Sequence, residues 1–261
     1  MTVQAHTPTV EVQWLEGLQD FQTVWAAMQD YTQQRDADSP DQIWLLQHHP
    51  VYTLGQAGRP EHVLNPGRIP IVKTDRGGQV TYHGPGQLVA YCLFDLRRYG
   101  LYVKSYVALL EGVIIDTLNH FGAHYACVQP GAPGVYVPAA VVNAAQPVSS
   151  PAQDAPAGQG PQAGPGMPAT LVDAGEKGGH LDSELVKIAA LGVKINRGCT
   201  YHGVAINVDM NLDPFAGINP CGYAGLVTTD LAHCRIPTTV TQVGEQFAAR
   251  LQQAFSNLKD A

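Results

Sequence analysis

Val10 to Leu15 alternates apolar and polar residues with the two-residue period of a half-buried strand. Phe21, Val24, Trp25, Met28 and Tyr31 then recur at helical spacing as far as the Pro40 turn. Short strands are predicted at Ile43 to Leu46, Val51 to Leu54, Ile69 to Val72, Gln79 to Tyr82 and Leu88 to Phe94, each set off by Pro or Gly turns. Tyr102 to Phe121 carries Val103, Val107, Leu110, Ile114 and Leu118 at a period suited to a helix lying on that sheet. Further strands are predicted at Gly134 to Val137, Leu185 to Ile195 and Thr200 to Asp209, with a closing helix from Val240 to Leu258. This order predicts an α+β fold, a mixed β-sheet packed with helices, without the βα alternation of a doubly wound domain.

The pattern fails in one place. No aromatic residue occurs between Tyr136 and Tyr201, and Ala139 to Leu181 is dominated by Ala, Pro, Gly, Gln and Ser. Such a segment buries too little apolar surface to offset the entropy of ordering its backbone, so a disordered surface insertion is expected there. Loop-closure entropy grows only logarithmically with length, so a single domain spanning residues 1–261 can carry it between two strands.

Charge and cysteines narrow the function classes. Lys and Arg total 15 against 22 Asp and Glu, a net charge of -7, with no basic run from which a phosphate-tracking surface is built. Nucleic acid is therefore not an expected partner. No stretch of eighteen apolar residues and no leader-like N-terminus is present, so a cytoplasmic protein without a membrane partner is expected. The five cysteines, an odd number at wide spacings, lack the density of a disulfide framework and read as reduced.

Three stretches carry candidate chemistry. Arg76-Gly77-Gly78-Gln79-Val80-Thr81-Tyr82-His83-Gly84-Pro85-Gly86-Gln87 has the glycines of a ligand-binding turn, although an ordinary glycine-rich hairpin has the same appearance. Asn219-Pro220-Cys221-Gly222 places a cysteine on a tight turn, open to a substrate, whereas Cys92 in LVAYCLFDL reads as core. Lys187 interrupts an apolar run. It reads either as a lysine reaching water along its stem or as a desolvated base of lowered pKa, with Arg76 as a neighbouring cation. Cys199 and His202 form a C-x-x-H pair, with His233-Cys234 as a second candidate, yet zinc normally requires four well-spaced ligands, and packing roles are preferred.

Taken together these stretches resemble the lipoyl(octanoyl) transferase family. Lys187 in KIAALGV, His202 to Asn207 as HGVAIN, and Cys221 in INPCGYAG stand in the family's order, joined by RGGQVTYHGPGQ and by His49 to Gly55. The resemblance implies the α+β fold shared with biotin and lipoate ligases. It implies that Cys221 carries the acyl group as a thioester and that Lys187 lies beside it and activates it. It implies acyl binding by Arg76, Gly77, Gly78, Gln79, Val80, Thr81, Tyr82 and His83, by Ala190, Leu191 and Gly192, and by Gly203, Val204 and Ala205. Octanoyl-acyl carrier protein is the implied donor. Lipoyl domains of 2-oxoacid dehydrogenases and the glycine cleavage H protein are the implied acceptors, with no cofactor and no metal. Docking of such acidic partners on an acidic chain calls for local cations, and Arg76, Lys194, Arg197, Arg97, Arg98 and Lys104 are candidates. The alternatives are an ATP-dependent ligase on the same fold, a cysteine hydrolase with His83 or His202 as base, and a carrier-binding module without catalysis.

Overall fold

The computed structural model describes residues 10–145 and 184–259. In chain order the strands are β1 (Val10–Gln19), β2 (Asp41–His48), β3 (Val51–Leu54), β4 (Ile71–Lys73), β5 (Val80–His83), β6 (Gln87–Leu93), β7 (Cys127–Gln129), β8 (Ala132–Pro138), β9 (Leu185–Asn196) and β10 (Cys199–Asn207). The α-helices are α1 (Phe21–Gln34), α2 (Val103–His120), α3 (Ala139–Ala145) and α4 (Val240–Lys259). Seven strands form one sheet in the order β1-β2-β6-β10-β9-β8-β7, and β4-β3-β5 form a second. Within the large sheet β1 and β2 run parallel and the other neighbours antiparallel, so the sheet is mixed as the pattern predicts.

Both faces of the central strands are covered, which is why QLVAYCL of β6 shows no polar alternation. On one face α2 and α4 contribute Leu110, Ile114, Leu118, Phe247, Leu251 and Phe255 against Leu88, Ala90 and Cys92 of β6 and Val204 and Ile206 of β10. On the other, Phe21, Val24 and Met28 of α1 meet Val89, Tyr91 and Leu93 of β6 and Tyr201 and Ala205 of β10. The α1 helix starts where Asp20 accepts the Thr23 amide at 2.8 Å, the expected N-cap of an acidic side chain. It ends at Arg35, whose side chain turns into the fold.

Arg35 meets Asp41 at 2.6 Å, both side chains almost fully buried. Asp41 also accepts from Tyr99 Oη at 2.7 Å and from the Asp95 amide at 2.8 Å, and Arg98 lies 3.3 Å away. The carboxylate thus ties the start of β2 to the turn after its neighbour β6.

The disordered-insertion reading needs correction at its start. Ala139–Ala145 is a short helix, α3, that follows β8 directly, and Ala139 and Val142 pack against the main core. AAVVNAA is rich in alanine, the strongest helix former, and the apolar positions give the turn something to bury against. Residues 146–181 lie outside the described residues. The sequence pattern also misses β7, whose three residues are too few to show a period.

Asp41→Ala leaves Arg35 buried without its carboxylate. We expect a loss of about 3–5 kcal/mol in urea-unfolding stability, as for a buried pair with one partner removed. Asp41→Asn, which keeps an acceptor, should lose less.

Candidate functional site

The site is built where the Cys221 turn closes against β9. The segment is tied down on both sides of the cysteine. The Leu64 and Asn65 amides donate to Gly217 O at 2.8 and 3.0 Å, and the Asn219 amide donates to His62 O at 2.8 Å. Beyond it, Lys187 N donates to Val227 O and Thr229 N to Lys187 O, both at 2.9 Å, so the chain returns alongside Lys187. Between these anchors Cys221 adopts a left-handed backbone, φ 57 and ψ 16. A non-glycine residue there costs roughly 1–3 kcal/mol and persists only where the surroundings over-determine it. Gly222, also at positive φ, allows the turn, and its amide is committed to Asn219 O at 2.9 Å.

Lys187 is 4% exposed, which removes the reading of a lysine whose ammonium reaches water. Its Nζ lies 3.0 Å from Cys221 Sγ, donates to Pro133 O at 2.8 Å, and sits 5.1 Å from the centroid of the Tyr136 ring. The stem passes so close to β8 that a Cβ on Gly134 would stand 2.4 Å from Lys187 Cε, so glycine is required there. Burial pulls the Lys187 pKa down, but the Cys221 sulfur and Tyr136 together hold it above the ordinary lysine value. This corrects the expectation of a pKa lowered with Arg76 as the neighbouring cation. Lys187 rests as an ammonium against sulfur, and the Arg76 guanidinium is occupied elsewhere.

Arg76 is buried, and every one of its nitrogens has a partner. Nε donates to Thr53 Oγ1 at 3.1 Å, Nη1 to Gly77 O at 2.9 Å, and Nη2 to Thr53 O and Gln79 O at 2.6 and 2.7 Å. It therefore holds the glycine turn in shape and is not a docking cation on the surface. Arg98 is likewise turned inward toward Asp41 and Asp95. Arg197 and Lys104 are exposed, and Arg97, paired with Asp95, has a largely exposed side chain.

A cavity of about 510 Å³, counting the open space at its mouth, lies under this turn on the α1 face of the sheet. Arg76, Gly78, Gln79, Val80, Thr81, His83, Ala190, Leu191, Gly192, Gly203, Val204, Ala205 and Cys221 all line it. Two of the expected acyl-binding residues do not. Tyr82 points to the other side of β5, into a cluster with Tyr52 and Phe215, because neighbouring strand residues face opposite ways. Gly77 instead spends its amide on Val193 O at 3.0 Å. Phe21, Val89, Tyr91 and His202 complete the lining. Phe21, Val89 and Tyr91 belong to a helix start and to strand interiors that read as core in sequence, whereas His202 reads there only as an alternative base or metal ligand. Lys187 lines a smaller adjoining cavity that shares Thr81, Ala190 and Cys221 with the first.

The histidines near the cavity are neutral and engaged. Burial pushes the His83 pKa down to about 3; its Nδ1 donates to Gln87 Oε1 at 2.8 Å. Burial pushes His48 down to about 4; its Nδ1 donates to Gln19 O at 3.0 Å, and its Nε2 accepts from Tyr91 Oη at 2.7 Å. His202 is lowered by burial, against the pull of Asp75, to which its Nε2 donates at 2.9 Å. The hydrogen bond to Cys221 comes from Lys187, not from His83 or His202. Among the described residues no three His, Cys, Asp or Glu side chains converge as a metal site. Cys199 meets Arg97, and His202 meets Asp75.

The depressed values of His48 and His83 make stability pH-dependent. An unfolded histidine protonates near pH 6.5 while the folded ones stay neutral to about 4 and 3, so the unfolded state binds more protons in that window. Urea midpoints should fall as pH drops from 6.5 toward 3. The fall should flatten in His48→Gln, where one of the two groups is gone.

The model of the lipoyl protein ligase A/B catalytic domain family matches residues 20–252. The chain is 51% identical over 243 residues to a Bordetella petrii protein named Octanoyltransferase, covering 93% of this chain and 95% of that one. A Legionella pneumophila protein of the same name is 43% identical over 231 residues, covering 88% and 92%. In three dimensions the chain is similar to a bi-partite lipoate protein ligase from Thermoplasma acidophilum, with TM-score 0.64, 11% identity, and 96% and 85% coverage. It is also similar to a lipoate-protein ligase A bound with ATP, with TM-score 0.55, 12% identity, and 96% and 85% coverage. At such identities the structural likeness concerns the fold.

Proposed function

We propose that this chain, which belongs to the lipoyl protein ligase A/B catalytic-domain family, moves an octanoyl group from an acyl carrier protein to a lysine of a lipoyl domain through a thioester on Cys221. It is an acyltransferase, in keeping with relatives up to 51% identical named Octanoyltransferase. The observation that carries the thioester step is the 3.0 Å contact of Lys187 Nζ with Cys221 Sγ at the edge of a largely apolar cavity.

The reaction balances on these two side chains. The Cys221 thiolate attacks the carrier thioester, a new C–S bond forms, and the carrier thiolate leaves with the proton of the Lys187 ammonium. Acylation removes the negative sulfur that held that proton, and burial now favours neutral lysine. Neutral Lys187 takes a proton from the incoming amine as it attacks the Cys221 thioester. The amide forms, the C–S bond breaks, and the thiolate and ammonium are restored. The activation is stored in the donor thioester, so the cycle calls for neither ATP nor metal.

Enclosing the tail contributes on the order of 5 kcal/mol at about 0.8 kcal/mol per methylene, and the cavity walls of alanine, glycine, valine and leucine suit it. In this reading the oxyanion is held by the amides of Gly78 and Cys221, since those of Gly77 and Gly222 are committed to Val193 O and Asn219 O. Acceptors of the 2-oxoacid dehydrogenase and glycine cleavage H protein type, in the cytoplasm, complete the assignment.

Intact mass after incubation with octanoyl carrier should show one octanoyl adduct, absent in Cys221→Ser, with no ATP consumed. Turnover by Cys221→Ser would remove the covalent route, and ATP-dependent acylation would favour the ligase chemistry of the fold relatives. Lys187→Ala should slow iodoacetamide alkylation at neutral pH and transfer together. Lys187→Arg should recover part of the alkylation but not transfer, because a guanidinium stabilises a thiolate without exchanging its proton.

A further inference from the structure

Tyr201 and His202 are consecutive in the middle of β10, and on a regular strand their rings would lie on opposite faces of the sheet. Both reach one carboxylate. Tyr201 Oη donates to Asp75 Oδ2, His202 Nε2 donates to Oδ1, and the two rings stack 5.1 Å apart. The left-handed backbone of His202, φ 60, brings them to the same side at a cost of roughly 1–2 kcal/mol for an L-residue. Trp25 Nε1 at 3.0 Å and Gln29 Nε2 at 3.4 Å also donate to Asp75. None of the acyl-transfer steps uses this cluster, yet it presses the His202 ring, 1% exposed, into the wall of the acyl cavity.

The strand register gives its position along that cavity. Thr81, Ala190 and Cys221 line both cavities and mark the reacting end. Ala190 pairs with Ala205 and that with Val89. Two residues on, Gly192 pairs with Gly203 and that with Tyr91, and the next pair is Val193 with His202. Three residues of strand at about 3.3 Å separate the Ala190 row from the His202 row by about 10 Å. The seven C–C bonds of an octanoyl group, about 1.5 Å each in zigzag, reach roughly 9 Å. Its methyl end therefore arrives where alanine, valine and leucine give way to the imidazole.

We infer that His202, locked by Asp75, is the chain-length stop of the cavity and restricts the acyl group to about eight carbons. The inference rests on the octanoyl-transfer reading and adds the residue that sets its specificity. A ninth or tenth carbon must push the ring off Asp75 or bury its own end against unmatched polar atoms. The ring resists. Partial burial acts to raise the Asp75 pKa, but the hydrogen bonds from His202 and Tyr201 overcome it and hold the carboxylate well below the usual range, so the acceptor stays charged.

The test compares hexanoyl, octanoyl, decanoyl and dodecanoyl carrier thioesters. In the unaltered enzyme kcat/KM should rise about 15-fold from hexanoyl to octanoyl, the value of two buried methylenes, and fall at decanoyl. His202→Gly suits the left-handed backbone and empties the end of the cavity, and should raise the decanoyl-to-octanoyl ratio by about 15-fold. His202→Asn also tolerates that backbone and should give a smaller rise. Calorimetric affinities for free octanoate and decanoate read the same ratio without turnover, so the stop is measured even if Cys221 proves not to carry the acyl group. An unchanged ratio in both variants, or a rise that continues to dodecanoyl in the unaltered enzyme, overturns the inference.

Discussion

A buried ammonium is the constraint around which the site is assembled. Lys187 brings a charge to a nearly water-free position between β8, β9 and the cysteine turn. Such a charge is tolerated only with close partners. The Pro133 carbonyl, the face of Tyr136 and the Cys221 sulfur supply them. Each partner imposes something on the fold. Tyr136 pairs with Lys187 after a register shift in β8, Gly134 must lack a side chain to let the stem pass, and the segment after Cys221 must return to bridge Lys187 at Thr228.

The rest of the sheet serves this arrangement by being immovable. With β6 and β10 covered by helices on both faces, neither can shift register without exposing a full row of apolar side chains. Gly203 shows how tight the seam is, since a Cβ there would lie 2.0 Å from the Ala90 carbonyl oxygen. A rigid frame of this kind can hold backbone strain at Cys221 and His202, two of the four non-glycine residues at positive φ among the described residues. The first aims a sulfur at the lysine, and the second turns a ring into the cavity wall.

The same fold carries two chemistries, which is why the site and not the architecture decides between them. The structural relatives include lipoate ligases, one of them bound with ATP, at 11–12% identity, whereas relatives at 43–51% identity bear the octanoyltransferase name. In the proposed transfer, the contact of Lys187 with Cys221 is the physical difference from ligase chemistry. Here Arg76, buried and partnered on every nitrogen, acts as a brace for the glycine turn.

The sequence by itself determined the class of the fold, most strand and helix positions, and the stretches that converge on the cavity. Periodicity over the long helices and burial of the central strands are properties of local composition, so they can be read in one dimension. The motif order likewise pointed to Cys221 and Lys187. Only the tertiary structure decided that they touch, because residues 34 apart meet through the return of one segment along another. It also decided that Tyr82 faces away while Phe21, Tyr91 and His202 face in, since the side of a short strand depends on its partner's register. The same holds for charge. Arg76 and Arg98 look like surface cations in sequence, and only packing reveals which guanidinium finds enough acceptors to be buried.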